Sequence, residues 1–231
     1  MWVSSSQEKP IKTTPIDTVG WHQTPTGAGV IEVKTELNVS LPKLKEAFKA
    51  LLHDKAKTFS SMLEGEKVVS IDYQDRYLKS PWNTMVLMAL LEAFRHDELK
   101  QLSISTIAEN RGGRNNYLLW HNWPNSNDMK NVLSQWIKMR YELEPHITVH
   151  QNLSDLPHRR ILTLGLTSGK KIKLVFDQGV GYWEASTLNR DNNSFDFDLD
   201  TDSQMRKILT IWPDMKLRNT GDWPTDISIY E

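Results

Sequence analysis

The chain has 231 residues, a net charge of −1 and no cysteine, which is enough for one large domain with a real hydrophobic core and excludes disulfides and thiolate metal sites. A near-neutral balance offers no general attraction to nucleic acid, so any such contact has to come from a local patch. No apolar run is long enough to span a bilayer, and MWVSSSQEKP has neither the basic start nor the apolar stretch of a signal peptide, so the expectation is a cytoplasmic protein without a membrane span.

Residues 1–29 are polar and rich in Thr, Pro and Gly, and read as an irregular arm whose Trp2 and Trp21 could dock on a core or a partner. From Val30 to Val39, Ile31, Val33, Thr35, Leu37 and Val39 alternate with polar residues, the pattern of a half-buried strand. Ser40 as N-cap and Pro42 in the first turn then open a helix with Leu44, Ala47, Phe48, Leu51 and Leu52 at helical spacing, fading near Gly65. This strand-helix extension occupies residues 30–66.

Val68 to Tyr73 is short and apolar enough for a central strand, and it runs into Asp75-Arg76-Tyr77-Leu78. Ser80 and Pro81 open a helix to about Arg95 that is apolar nearly all round. A strand from Gln101 to Ala108 completes a β-α-β unit, for which a parallel crossover is expected. Residues 109–127 form a long loop, in which Arg111 and Arg114 flank two glycines ahead of Tyr117, Trp120, His121 and Trp123. Arginines beside flexible glycines with aromatics behind them suit a phosphate backbone and its bases. The plainer reading makes the aromatics core and the arginines solvated.

The next helix starts at Ser126 to Asp128, carries Met129, Val132, Leu133, Trp136 and Ile137, and is stopped by Pro145. A strand follows from His146 to Gln151. In a strand, His146 and His150 lie too far apart to share a metal, and no metal or other cofactor is expected.

His158 to Trp183 reads as two strands joined at Ser168-Gly169. On the first, His158 and Arg160 share a face with Leu162, Leu164 and Leu166. On the second, Ile172, Leu174 and Phe176 face one way, and Lys171, Lys173 and Asp177 the other. A His and an Arg at a strand start, with Lys173 and an acid on the next strand, can form an anion pocket. A hairpin with one solvated, charged face is the competing reading. SFDFDLDTDS alternates Phe195, Phe197 and Leu199 with aspartates and reads as an edge strand, Gln204 to Trp212 as a last helix, and the tail after Pro213 as irregular.

The succession strand, DRYL, helix, strand, helix, strand, HRR, paired strands and DQGVGYW resembles the phospholipase-D-like domain at the C-terminus of eukaryotic MIT-domain proteins. Similar domains accompany helicases in bacterial phage-defence systems. The likeness spans about residues 67–202, within a domain read as 67–231. It implies an α/β fold, a mixed sheet flanked by helices, here with the N-terminal strand-helix extension. It also implies a phosphodiester pocket formed by Asp75, Arg76, His158, Arg160 and Asp177. Hydrolytic members carry a His, a Lys two residues on and then an Asp. Here Arg160 takes the Lys position and Gly165 the Asp position.

Such enzymes need a nucleophilic His and a second His as acid. This chain offers one HxR, so hydrolysis would require a homodimer pairing two copies of His158, or a remote His such as His121. Three functions are therefore compatible with the sequence. The favoured one is a non-hydrolytic nucleic-acid-binding accessory of a bacterial anti-phage defence or DNA-processing assembly. The second is a metal-independent nuclease acting as a dimer through His158. The third is a structural subunit that docks a helicase partner.

Overall fold

The computed structural model describes residues 29–108, 118–186, 194–219 and 224–231. Strand β1, Gly29–Val33, buries Ile31 and Val33 and leaves Val30 and Glu32 outside. It stops well short of Val39. The Glu36 carboxylate accepts the backbone N–H of Lys34 at 2.7 Å and pairs with Lys55, which folds the chain into a turn before a longer strand can form. Helix α1, Leu41–Lys55, buries Leu44, Phe48, Leu51 and Leu52; Ser40 precedes it without capping through its side chain, and the Leu41 N–H is satisfied by the Met215 carbonyl instead. A break at Ala56 separates it from α2, Lys57–Leu63.

Strand β2, Val68–Gln74, leads to α3, Pro81–Leu91, and strand β3, Gln101–Ile107, with β2 and β3 parallel as the β-α-β pattern predicts. Ser80 caps α3 by accepting from the Asn83 N–H, and ten of the helix's eleven residues are buried, the outcome expected of a helix apolar on all sides. Helix α4, Ser126–Tyr141, ends with Glu142 in a left-handed conformation before Pro145 is reached, and β4, His146–His150, adds parallel to β3. Strands β5, Arg160–Leu166, and β6, Lys171–Phe176, form the expected hairpin, with Gly169 at φ 86° in its turn. Leu162, Leu164, Leu174 and Phe176 are all buried.

The C-terminal third departs from the sequence reading in two places. Ser194 makes a single bridge to Leu118, and no edge strand follows it. The Asp196 carboxylate takes the Asp198 N–H, and the Gln204 amide takes the carbonyls of Phe197 and Leu199. Side chains thus satisfy the backbone that a neighbouring strand would otherwise have paired. Phe195 and Phe197 pack edge-on against Trp123, and Asp200 caps the next helix, α5, Thr201–Ile211.

The tail is not irregular. After the short antiparallel pair β7, Trp183–Ala185, and β8, Leu217–Asn219, the chain forms β9, Thr225–Tyr230. Ile227 and Ile229 point inward from β9 with the same period of two that marks the other strands.

The main sheet runs β1-β9-β6-β5-β2-β3-β4, parallel on the β2-β3-β4 side and antiparallel elsewhere. It is a large mixed sheet flanked by helices, and the N-terminal strand-helix segment joins it through β9. One face carries Ile71, Tyr73, Leu102, Ile104, Leu162, Leu164, Ile172 and Leu174 into the core beneath α1 and α3. The other face presents Ser70, Asp72, Gln74, Ser103, Thr163 and Lys173, all partly or fully exposed.

Truncating Phe176 to Ala, which removes the ring stacked on Phe48 at 6.3 Å, should cost about 3–5 kcal/mol, and Ile229→Ala about 2–5 kcal/mol. Denaturant unfolding measures both; a negligible loss for Ile229→Ala would remove β9 from the interior of the sheet.

Candidate functional site

The inward-facing period of β2 does not end with the strand. Tyr73 points into the core, and two residues later Asp75 continues the same side, its N–H donated to the Ser105 carbonyl of β3. The Asp75 carboxylate is 1% exposed. Its Oδ2 accepts from the Tyr73 hydroxyl at 2.8 Å and its Oδ1 from the Tyr77 N–H at 2.8 Å, while Arg160 Nε lies 3.9 Å from Oδ1. Burial raises the Asp75 carboxyl above its ordinary range. The Tyr77 N–H, the Tyr73 hydroxyl and the charges of Arg160 and Lys79 oppose that rise. The Tyr73 hydroxyl is raised too, by burial first and then by the neighbouring carboxylate, against a hydrogen bond from the Val180 backbone.

Arg160 begins β5 directly beside this carboxylate. Its Nη1 donates to the Asp177 carbonyl, and its guanidinium carbon sits 4.8 Å from the centre of the Tyr77 ring. The Nε is buried and has no hydrogen-bond partner among the described residues. The chain passes close over this arginine at Gly179, which opens a 3-10 turn, Gly179–Tyr182, with φ 65°. A Cβ there would lie 2.8 Å and 2.9 Å from Arg160 Cγ and Cδ, and 2.9 Å from Asp75 Oδ2. The first glycine of DQGVGYW is thus required twice, by its dihedral and by the space it leaves.

Tyr77 gathers the remaining basic groups. Its hydroxyl is 3.4 Å from His158 Nε2, the two rings meet edge-on with centres 6.0 Å apart, and Lys79 Nζ lies 5.6 Å from the Tyr77 ring centre. Arg160, His158 and Lys79 therefore surround one aromatic ring, with Arg160 anchored on a buried carboxylate. That arrangement holds positive charge in fixed positions at the ends of β2 and β5, where ligands of open α/β sheets collect.

The other residues singled out by the sequence take different places. Arg76 donates Nε, at 2.8 Å, and Nη2 to the Leu156 carbonyl, bracing the connection that delivers His158. Asp177 offers Arg160 its carbonyl; its carboxylate receives the Gln178 amide at 3.2 Å. Lys173 pairs across from Thr163 on the opposite face of the sheet from Arg160. Arg111 and Arg114 lie outside the described residues. Among the described residues no three His, Asp or Glu side chains gather as a metal site.

The sequence reading passed over Tyr73, Tyr77 and Gly179. Tyr73, Asp75 and Tyr77 at alternate positions were the available signal.

Residues 27–231 match the family described as the C-terminal domain of the DEAD/DEAH box helicase YjiV. The chain belongs to that family. The match takes in every described element from β1 to β9, so the N-terminal strand-helix segment is included along with the hairpin. No curated protein matches the chain. Among the described residues, no helix is long and apolar enough to cross a membrane.

Because the folded-state pKa of Asp75 lies above its ordinary 3.8, the folded protein keeps a proton there that the unfolded chain loses first. The stability this group contributes is fully present below about pH 4 and is lost as pH rises through the raised value. Asp75→Asn keeps an acceptor for the Tyr77 N–H but cannot titrate. Unfolding free energies measured from pH 4 to 7 should show the wild type losing ground to the variant as pH rises; parallel curves would mean that the carboxylate is not desolvated.

Gly179→Ala should both lower the melting temperature and displace Arg160. Calorimetry that finds the variant as stable as wild type would contradict the close approach.

Proposed function

We propose that this helicase C-terminal domain is a phosphodiester-binding module that holds nucleic acid for a helicase, within a bacterial anti-phage defence or DNA-processing assembly. The observation that carries this reading is Arg160, fixed by the Asp75 carboxylate, the Asp177 carbonyl and the Tyr77 ring, with His158 and Lys79 beside the same ring. A guanidinium held in place loses little freedom when it takes a phosphate oxygen, and it stays charged at any physiological pH. The likeness to phospholipase-D-like domains adds the expectation of a phosphodiester at this place in the fold. Arg111 and Arg114 would extend the contact along the backbone.

Binding without hydrolysis is favoured by the groups around His158. Its Nε2 faces the Tyr77 hydroxyl, and no second histidine contacts it among the described residues. The position where hydrolytic relatives of the phospholipase-D type would carry an acid is Gly165, where a Cβ would lie 2.2 Å from Ser70 Oγ. A larger residue at Gly165 would require the Ser70 hydroxyl to turn away.

The test is the salt dependence of binding to a labelled oligonucleotide. Wild type should lose affinity linearly in log salt; Arg160→Ala should weaken binding and flatten the slope by about one unit, and an Arg111→Ala, Arg114→Ala pair by about two. Since removing Arg160 leaves Asp75 without its cation, His158→Ala is run in parallel as a variant of an exposed side chain, and circular dichroism checks both. Slopes identical to wild type in every variant would overturn the reading in favour of a structural subunit. Cleavage of the oligonucleotide that disappears in His158→Ala would replace it with a nuclease.

A further inference from the structure

A cavity of about 240 Å³ opens beside the cation cluster, at the N-terminal end of α3. Its lining includes Trp82, Trp120, Trp183, Asn83, Asn122 and Glu184. Trp82 and Trp183 are buried and joined, the indole Nε1 of Trp82 donating to the Trp183 carbonyl at 2.7 Å. Trp120 is only half-buried, and Asn122 is exposed at the rim. A cavity walled by flat aromatic rings and edged by two amides and a carboxylate matches one chemical class well. That class is a planar heterocycle with an apolar face and a polar edge.

The cavity is continuous with the site above through the chain itself. Asn83 donates its Nδ2 to the Tyr77 carbonyl at 2.9 Å, so the residue lining the cavity also holds the tyrosine around which Arg160, His158 and Lys79 gather. The segment from Tyr77 to Asn83 thus joins the ring beside the basic groups to the tryptophan-lined cavity. That is the order of groups along a nucleotide, phosphate and then base.

We infer that this tryptophan cavity takes an unpaired nucleobase, making the domain a reader of single-stranded nucleic acid. The inference rests on the phosphodiester reading of the adjoining cluster and deepens it. Bases in a duplex have their faces covered by neighbouring pairs, so a pocket that works by stacking selects strands whose bases are free. The Asn122 amide, exposed at the rim, can meet the base edge, and an amide, which both donates and accepts, tolerates more than one base; Asn83 is held by the Tyr77 carbonyl and Glu184 by Arg218 at 3.3 Å. A helicase produces such strands, so the pocket would engage the product of unwinding.

The experiment compares three probes of equal length on the full chain: single-stranded DNA, the same backbone without bases, and duplex DNA. Single-stranded DNA should bind about tenfold or more tighter than the abasic strand, within the range that one stacked base supplies. Trp120→Ala should abolish that difference while keeping the wild-type salt slope, because it removes no charge; Trp120→Phe, which keeps a ring and is the safer variant for folding, should retain most of it. Equal affinity for the normal and abasic strands, with the salt dependence intact, would overturn the base pocket and leave the phosphate reading standing. Tighter binding of duplex than of single strand would also overturn it. Absence of salt-dependent binding to any of the three would overturn both.

Discussion

The arrangement at the sheet end depends on one buried carboxylate. A carboxylate removed from water costs several kcal/mol unless the protein supplies donors and a counter-charge, and Asp75 draws these from three places in the chain. Tyr73 comes from β2, the Tyr77 N–H from the turn that follows, Arg160 from the start of β5, and the turn at Gly179 closes over both. The carboxylate thus acts as a knot between pieces that are far apart in sequence. The same need that fixes the knot also immobilises the guanidinium, so any change at Arg160 acts on the fold as well as on the phosphodiester contact proposed for it. His158, exposed and reaching the same ring without contacting the carboxylate, can be altered with less cost to the fold.

The sequence revealed most of the architecture, because the strands and helices are marked by clean periodicity. The β2-α3-β3 unit, the α4-β4 pair and the β5-β6 hairpin stand where alternation and helical spacing place them. In the C-terminal third, two readings failed for opposite reasons. In the Phe195 to Leu199 stretch the alternation was real, but Asp196 and Gln204 took the backbone groups that a strand needs. In the tail, two prolines and a glycine drew attention away from Thr225–Tyr230, although Ile227 and Ile229 alternate as plainly as any strand in the chain.

The site was legible in part. Asp75, Arg160 and His158 could be singled out because their residue types and their places at strand ends point to anion chemistry. The geometry joining them could not be read, since it runs through a tyrosine ring and the absence of a side chain at Gly179. Face assignment decided the rest. Lys173 is one step out of phase with the inward residues of β6, so the same alternation that buries Leu174 turns it to the far side of the sheet from Arg160. Residue type alone gave no warning of this.

The place of β9 has a consequence in time. Gly29 of β1 lies opposite Ile229, and β9 is the only described strand that pairs with β1, while its other edge completes β6. As the polypeptide emerges from the ribosome, the parallel core around β2, β3 and β4 and the β5-β6 hairpin can form from nearby segments. The first strand has to wait until β9 has been made. Throughout that interval β6 exposes an open edge, and the apolar side of α1 has an incomplete sheet to rest on, the circumstance in which nascent chains attract chaperones or pair with the wrong strand. Synthesis therefore sets a direction for folding, in which the earliest segment of the sheet is among the last to be secured.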